Sequence, residues 1–254
     1  SKVLIVNEQG IGDTFFYLNA LKNTQLNNCK FLVNKKIYDA IKDYVNVELI
    51  LEDERFDVSQ FDTKIFLPDL LGLFIDKIEM NYRHFNSEIL PLNNKIKIGF
   101  SWFSKNPNFG KYRSLPLDKI IFPFKDNIDE IEFYNLQYLS DLAEVNNVER
   151  KFSLNFHNKN NNYFSNINEL ISQINKLDLV ITIDNTTAHI SGFLGKITFL
   201  LVPKITGRVW YWHNDSQSTW YPNTKIYFFD LLKINESLQN LKNDVKVLLS
   251  NPSC

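Results

Sequence analysis

The sequence has few cysteines and no uninterrupted hydrophobic segment of membrane-spanning length. Cys29 and Cys254 are far apart and too few for a metal cluster, and a disulfide framework is not expected. The most apolar candidate, Ile65–Ile78, is broken by a proline and two aspartates, whereas a spanning helix needs about 20 mainly apolar residues. Strand-like sequence begins directly at the N-terminus, so no signal peptide is expected. A cytoplasmic protein with at most peripheral membrane association is therefore expected.

An excess of charge of one sign is also absent. The 28 basic and 29 acidic residues nearly cancel, and no long run of like charges occurs. A nucleic-acid-binding protein would be expected to carry a basic face, so we expect no nucleic-acid partner. A chain of 254 residues with 44% hydrophobic content can bury the core of one large α/β domain or of two smaller ones.

The most informative stretch is Leu177–Val202, LDLVITIDNTTAHISGFLGKITFLLV. Its apolar, β-branched start is typical of a strand buried on both faces. Helical spacing follows over Ala188–Leu194, and Gly195 stands where a helix C-terminus favours positive φ. A second apolar run, Ile197–Val202, completes the pattern. The stretch therefore predicts a βαβ unit with polar residues at the carboxyl end of its first strand.

Those polar residues allow two interpretations. Asp184, Asn185, Thr186 and Thr187 could simply cap the helix, which is the commonest use of such residues. They could also bind a phosphorylated ligand, because ligands of open parallel sheets lie at this edge, against the positive end of a helix.

A second βα turn follows the strand candidate Lys2–Asn7. It contains Gly10 and Gly12, which let a ligand approach the backbone, and Asp13, which could simply cap the next helix. The third glycine of a dinucleotide fingerprint is missing, and no acidic residue follows Phe31–Val33. A nicotinamide-dependent dehydrogenase is therefore disfavoured.

Alternating strand and helix patterns predict two α/β domains, residues 1–92 and 93–254. The irregular stretch Glu79–Lys95 is typical of a linker, and the last helix, Asn235–Ser250, is a candidate to pack back on the first domain. The Asn-rich stretch Asn155–Asn162 is expected to be a surface loop.

Two further segments of the second half carry candidate ligand-binding side chains. The loop after the strand Ile96–Phe103 contains Lys105, Lys111 and Arg113, which could neutralise a diphosphate or be ordinary solvated residues. The irregular segment Lys204–Tyr221 holds three of the four tryptophans, among them Trp210 and Trp220. These rings could form a satellite core or stack on a sugar or a base.

Three blocks resemble the family 9 glycosyltransferases, which include the lipopolysaccharide heptosyltransferases, and more closely their bacterial tetratricopeptide-associated branch. The blocks are GIGDTFFYLNALK (Gly10–Lys22), IGFSWFSKNPNFGKYRSLPL (Ile98–Leu117) and DLVITIDNTTAHISGFLGK with the later STWYPN (Ser218–Asn223). Their order and spacing agree over nearly the full chain. No repeat array is present, which indicates a stand-alone catalytic unit.

The resemblance implies a GT-B fold, in which two Rossmann-like domains with parallel sheets face each other across a cleft. It implies inverting transfer of a sugar from a nucleotide-diphosphate sugar to a glycan, lipid-linked or protein acceptor in cell-surface glycan biosynthesis, with no metal or other cofactor. Asp13 matches the family's catalytic base. The donor-binding positions are Gly12, Ser101, Lys105, Arg113, Gln137, Asp184, Asn185, Thr186, Thr187 and His189, with Trp210 and Trp220 as candidates for stacking.

The chain departs from the family pattern at Asn185, usually threonine, and at Ser104, often glycine, and its first domain is short, which leaves the acceptor open. A non-catalytic sugar-nucleotide or glycan-binding module derived from such a transferase is the main alternative. A GT-B epimerase would need further acid/base residues that the sequence does not place. His84, His157 and His213 are not expected to be ligands, since their spacing offers no converging metal site.

Overall fold

A computed structural model describes residues 2–21, 26–52, 57–74, 95–213 and 215–250. The first of its two sheets has four parallel strands in the spatial order β3–β2–β1–β4. Because parallel neighbours need crossover connections, α-helices follow three of its four strands. The elements are β1 (Val3–Val6), α1 (Ile11–Leu21), β2 (Cys29–Val33), α2 (Lys35–Ile41), β3 (Glu48–Leu51), β4 (Thr63–Phe66) and α3 (Leu67–Phe74).

The second sheet has six parallel strands in the order β10–β9–β8–β5–β6–β7. Successive strands are added on one side of β5 up to β7 and on its other side from β8 onward. The strand order therefore reverses between β5 and β8, and doubly wound sheets bind ligands at such a switch point. Its strands are β5 (Ile96–Ser101), β6 (Ile131–Asn135), β7 (Phe156–His157), β8 (Leu179–Ile183), β9 (Thr198–Pro203) and β10 (Thr224–Phe229). Its helices are α4 (Gly110–Arg113), α5 (Leu117–Ile121), α6 (Leu142–Phe152), α7 (Ile167–Asn175), α8 (Thr186–Phe193), α9 (Ile234–Ser237) and α10 (Gln239–Ser250).

One core cluster joins the two sheets through α1 and α8, which pack against each other. Phe15 of α1 meets Phe193 of α8 edge to face, with ring centroids 5.2 Å apart. The same cluster contains Phe31 of the first sheet and Leu200 of the second, both fully buried. The two domains therefore share apolar core along the contact between α1 and α8.

A second cluster lies wholly within the second domain and corrects two predictions. Phe156, from the Asn-rich segment expected to be a surface loop, forms β7 and packs against Phe100 and Phe133. One apolar residue among asparagines gives no periodic signal, so this two-residue strand was not predicted. Helix α10, the candidate to pack back on the first domain, instead buries Leu241 and Val245 in this second-domain cluster.

Some sequence predictions concern residues outside the described ones. These are the domain boundary at 92/93, the linker except for Lys95, His84 and Cys254. Within the described part of the chain, no helix combines the length and the apolar character needed to cross a bilayer.

Candidate functional site

In the turn between β8 and α8, one polar residue caps the helix and its neighbour does not. Asn185 caps α8, since its Oδ1 accepts a hydrogen bond from the backbone N–H of Thr187 at 2.9 Å. Gly195, at φ +69°, ends the helix region in the left-handed conformation, as predicted. Asp184 does not cap the helix; its carboxylate faces Arg113. The capping interpretation is therefore correct for Asn185 and wrong for Asp184.

A buried polar network joins the carboxyl ends of β5, β6 and β8. Asn185 Nδ2 donates to Ser101 Oγ at 2.8 Å, and Ser101 Oγ donates to Gln137 Oε1 at 3.1 Å. The same Gln137 oxygen accepts the backbone N–H groups of Trp102 and Phe103, and Gln137 Nε2 donates to two backbone carbonyls. Ser101 and Gln137, which the resemblance matched to the donor site, thus hold the strand ends together through these hydrogen bonds.

The loop after β5 ends in α4, which presents Arg113. A Cβ on Gly110 would clash with the carbonyl oxygen of Ser104, so the loop folds back here only with glycine. Arg113 Nε donates to the carbonyl oxygen of Gly207 at 2.7 Å, and its Nη1 lies 3.2 Å from Asp184 Oδ2. Two fixed contacts therefore hold the guanidinium against the end of β8.

Asp184 is a buried carboxylate, only 1% exposed. Burial raises its pKa to about 6, while the Arg113 charge and the indole of Trp212 oppose the rise and Asp13 adds to it. Among the described residues, Asp184 Oδ2 makes no hydrogen bond of good geometry, although Arg113 pairs with it ionically. A buried acceptor of this kind is a feature of sites that bind water or a ligand.

The other two predicted cations lie at the surface of the same loop. Lys105 and Lys111 are both exposed, and the Lys111 ammonium lies over the ring of Tyr112, 4.8 Å from its centroid. Of these three cations, Arg113 is the one that lies against Asp184, whereas the two lysines point to the surface.

Asp13 lies in the first turn of α1, facing the second domain. The hydroxyl of Tyr211, from the segment between β9 and β10, donates to Asp13 Oδ1 at 3.4 Å. Burial raises the pKa of Asp13, while the Tyr211 hydrogen bond and the Arg113 charge lower it. Asp13 is therefore a residue of the first helical turn rather than the helix cap, and its carboxylate interacts with groups of the other domain.

Gly12 allows the N-terminal ends of α1 and α8 to meet. A Cβ at this position would lie 3.1 Å from His189 Cδ2 and 3.3 Å from Thr186 Cα, tighter than ordinary contact. The structure thus gives Gly12, matched to the donor site, a role in bringing the domains together. Two positive helix ends and Arg113 consequently share one region, which favours an anion there.

His189 lies one turn further along α8 and is 3% exposed. Its Nδ1 is 3.0 Å from the hydroxyl of Tyr221 and its Nε2 is 3.2 Å from the hydroxyl of Tyr211. The ring stacks on Trp212, with centroids 5.3 Å apart. Burial, assisted by the Arg113 charge, lowers the pKa of His189 to about 3, so the imidazole is neutral at pH 7.

The tryptophans divide between the two predicted roles. Trp220 is 7% exposed and packs edge to face on Phe16, which makes it a core residue rather than a stacking platform. Trp210 is 61% exposed and retains a ring able to stack on a ligand. Sequence reasoning missed Tyr211 and Tyr221, although both lie in the aromatic-rich segment and Tyr221 belongs to the STWYPN block.

The remaining histidines have local surroundings. His157 stacks on Tyr134 at 4.6 Å, and His213 ends a 3₁₀ turn. Over the described ranges, no cluster of three or more His, Cys, Asp or Glu side chains could hold a metal ion.

Solved structures define the class of the fold: the chain has the GT-B fold of the heptosyltransferases, as the resemblance predicted. It superposes on a family 9 glycosyl transferase from Veillonella parvula DSM 2008 with a TM-score of 0.62 and 11% identity, over 98% of this chain and 97% of the other. The E. coli ADP-heptose lipopolysaccharide heptosyltransferase II gives a TM-score of 0.60 and 13% identity over 100% of both chains. E. coli heptosyltransferase WaaC with ADP-2-deoxy-2-fluoro heptose gives 0.54 and 12% over 99% of both.

No family sequence model and no curated protein sequence matches the chain. At identities this low the superpositions show a shared fold alone, so the function is argued from the site.

Proposed function

We propose that the protein is an inverting glycosyltransferase that moves a sugar from a nucleotide-diphosphate sugar to an acceptor hydroxyl. One observation carries the proposal: Asp13 follows Gly12, which packs on the start of α8, and its carboxylate lies within electrostatic range of Arg113 and Asp184 of the second domain. A carboxylate opposite a cation and a helix N-terminus is the arrangement that a displacement at an anomeric carbon needs.

Asp13 is the proposed general base. As the acceptor oxygen bonds to the anomeric carbon, Asp13 takes the hydroxyl proton and the bond to the diphosphate breaks on the opposite face, which inverts the configuration. A positioned base of this kind contributes roughly 10²- to 10⁴-fold to the rate. Burial favours this role because it raises the pKa of Asp13 and so makes the carboxylate a stronger base.

The leaving diphosphate is assigned to the second domain. Arg113 has five N–H donors, and its contacts to Asp184 and Gly207 leave others for phosphate oxygens. Thr186 opens α8, where backbone N–H groups and the helix dipole stabilise negative charge. Lys105 and Lys111 add positive charge at the rim. These groups offset the developing charge without a metal ion or other cofactor in the proposed mechanism.

The proposed donor carries a heptose or hexose, and the acceptor is a glycan, lipid-linked or protein hydroxyl in cytoplasmic assembly of a cell-surface glycan. The support is the fold shared with an ADP-heptose lipopolysaccharide heptosyltransferase and with a heptosyltransferase in complex with an ADP-heptose analogue.

Transfer by the Asp13→Asn variant tests the proposal. The wild type and the variant are assayed for nucleoside diphosphate release from ADP-, GDP-, UDP- and dTDP-sugars with an acceptor panel, and donor affinity is measured by calorimetry. We expect unchanged donor affinity and a loss of transfer of roughly 10²-fold or more. Asp69→Asn is the control, since it changes an exposed carboxylate in the first turn of α3.

Transfer at the wild-type rate by Asp13→Asn would contradict the assignment of the base. A wild-type protein that binds a donor but transfers to no acceptor would instead support the alternative of a non-catalytic sugar-nucleotide-binding module.

A further inference from the structure

Two tyrosines that the sequence patterns did not single out lie on either side of His189, and one of them reaches Asp13. We propose that Tyr221, His189 and Tyr211 form a directional hydrogen-bond chain that holds the Asp13 carboxylate in position to accept a proton. The role of this hydrogen-bond chain in catalysis rests on the proposed function, whereas the existence of the hydrogen-bond chain rests on the geometry. The three groups are positioning residues, because they act through Asp13.

The distances connect all four residues in order. Tyr221 Oη lies 3.0 Å from His189 Nδ1, His189 Nε2 lies 3.2 Å from Tyr211 Oη, and Tyr211 Oη lies 3.4 Å from Asp13 Oδ1. The exposed fractions of Tyr221, His189 and Tyr211 are 1%, 3% and 5%. At that burial, water is excluded from the chain, and each polar group depends on its protein partner.

The chemistry of the groups gives the chain one direction. The single hydroxyl proton of Tyr211 goes to Asp13, so its oxygen must accept from His189. A neutral imidazole has one N–H, which is then on Nε2, and Nδ1 is left to accept from Tyr221. Burial lowers the pKa of His189 and so keeps it in this neutral form.

Aromatic packing fixes the rings that carry these groups. Phe16 of α1 stacks on Tyr211 at 4.4 Å with an interplanar angle of 24°, and Trp212 stacks on His189 at 23°. A Cβ on Gly192 would overlap the ring of Tyr221, which shows how closely that ring lies on α8. Because α1 supplies both Phe16 and Asp13, the hydrogen-bond chain links the proposed base to the second domain.

Removing one hydroxyl should therefore change the ionisation of Asp13. The Tyr211 hydrogen bond lowers the pKa of Asp13, so Tyr211→Phe should move the Asp13 titration to higher pH. In Tyr221→Phe, His189 is free to carry its proton on Nδ1, and Tyr211 can then donate to Nε2 instead of to Asp13. A smaller shift in the same direction is expected. The titratable or charged groups that interact with Asp13 or Tyr211 are Arg113, Tyr17, Asp184, Tyr221 and His189.

The test is an NMR titration of the full chain labelled at aspartate carboxyl carbons and histidine nitrogens. Four proteins are compared, the wild type, Tyr211→Phe, Tyr221→Phe and Tyr227→Phe. The last is a matched control, because buried Tyr227 also donates to an aspartate, Asp244, away from the site. We expect His189 of the wild type to be neutral with its proton on Nε2, and the Asp13 titration to rise in Tyr211→Phe but not in Tyr227→Phe.

Transfer kinetics give the second readout. Because an ionised Asp13 is the active base, the acid limb of the kcat/KM profile should move to higher pH in Tyr211→Phe. At a pH on that limb the loss is about tenfold, the effect of one hydrogen bond to a charged group. At higher pH the loss should shrink to the part that comes from the lost positioning of Asp13, with the donor KM unchanged. A loss equal at every pH would mean that the acid limb has not moved and would overturn the proposal.

The two proposals fail in distinguishable ways. A wild-type protein without transfer activity would contradict the proposed function. The Asp13 titration would still test the hydrogen-bond chain. A wild-type His189 protonated on Nδ1, or charged at pH 7, would contradict the proposed hydrogen-bond chain. This outcome can be measured even if Tyr211→Phe does not fold. An Asp13 titration that is the same in the wild type and Tyr211→Phe would contradict the hydrogen-bond chain as well.

Discussion

The guanidinium of Arg113 lies 3.2 Å from the buried carboxylate of Asp184 and so connects the loop after β5 to the turn after β8. A buried ion pair adds little net stability, because both charges lose hydration, but losing one partner leaves an uncompensated charge. We interpret the pair as a device that fixes Arg113 for the diphosphate before any donor arrives.

Arg113→Ala should destabilise the protein in a pH-dependent way. With its partner gone, an ionised Asp184 is uncompensated, and unfolding free energy should fall by about 3 kcal/mol at pH 8. At pH 5 the loss should be smaller, since Asp184, whose pKa burial raises to about 6, is protonated there. Urea unfolding at the two pH values measures this. Lys111→Ala, an exposed cation of the same α4, is the control, and an equal loss at both pH values would refute the expectation.

Gly12→Ala should weaken the contact between α1 and α8. The added Cβ would lie 3.3 Å from Thr186 Cα, a backbone atom that cannot easily move. We expect a loss of about 1–3 kcal/mol in unfolding free energy and a fall in transfer. Gly72→Ala in α3 is the matched control, because its Cβ would meet no atom within 4 Å and should stabilise by about 0.5–1 kcal/mol. Similar effects of the two substitutions in chemical denaturation would contradict the close approach.

His189 should make the protein acid-sensitive. Its pKa is about 3 in the folded state, below the ordinary 6.5, so its contribution is complete above pH 6.5 and is lost as pH falls toward 3. Between pH 6.5 and 4 the loss amounts to about 3 kcal/mol. The half-buried carboxylate of Asp13 and the buried carboxylate of Asp184, both with raised pKa values, act in the opposite direction. The measurement is therefore the difference between the wild type and His189→Gln, which should shrink on acidification; parallel pH profiles would count against a buried neutral His189.

Trp210 and Trp220 should respond differently to truncation. Trp220→Ala removes a buried ring and should cost about 3–5 kcal/mol of stability. Trp210→Ala removes an exposed ring, so stability should change little while donor or acceptor affinity falls up to about tenfold. Thermal unfolding and calorimetric titration separate the two effects. Unchanged affinity for both donor and acceptor in Trp210→Ala would exclude the stacking role.

The elements that the sequence predicts well are those with local signals. The run before Asp184, the helix after it and Gly195 are spaced as a βαβ unit, and the structure has β8, α8 and β9 there. The loop of Arg113 and the turn of Asp13 were both expected at strand ends, where parallel sheets gather their polar residues.

The parts that could not be predicted depend on distant partners. Tyr211 lies in a segment without periodicity. Its hydroxyl bonds Asp13, which is 198 residues away in the sequence, so the contact exists only in the folded protein. Gln137 was matched to the donor, and the structure adds that its amide bonds backbone groups of Phe103, a contact that the sequence cannot reveal. The helix contact at Gly12 likewise exists only once both domains are assembled.

A thermal-shift titration with ADP-, GDP-, UDP- and dTDP-sugars tests the central claim most directly, because it needs no acceptor. A ligand of the folded state at about a hundredfold excess over Kd adds about 2.7 kcal/mol, which raises Tm by about 5–10 °C for a chain of this size. The account predicts such a rise for at least one nucleotide sugar with the wild type and a much smaller rise with Arg113→Ala. No rise with any nucleotide sugar, or an equal rise in both proteins, would contradict it.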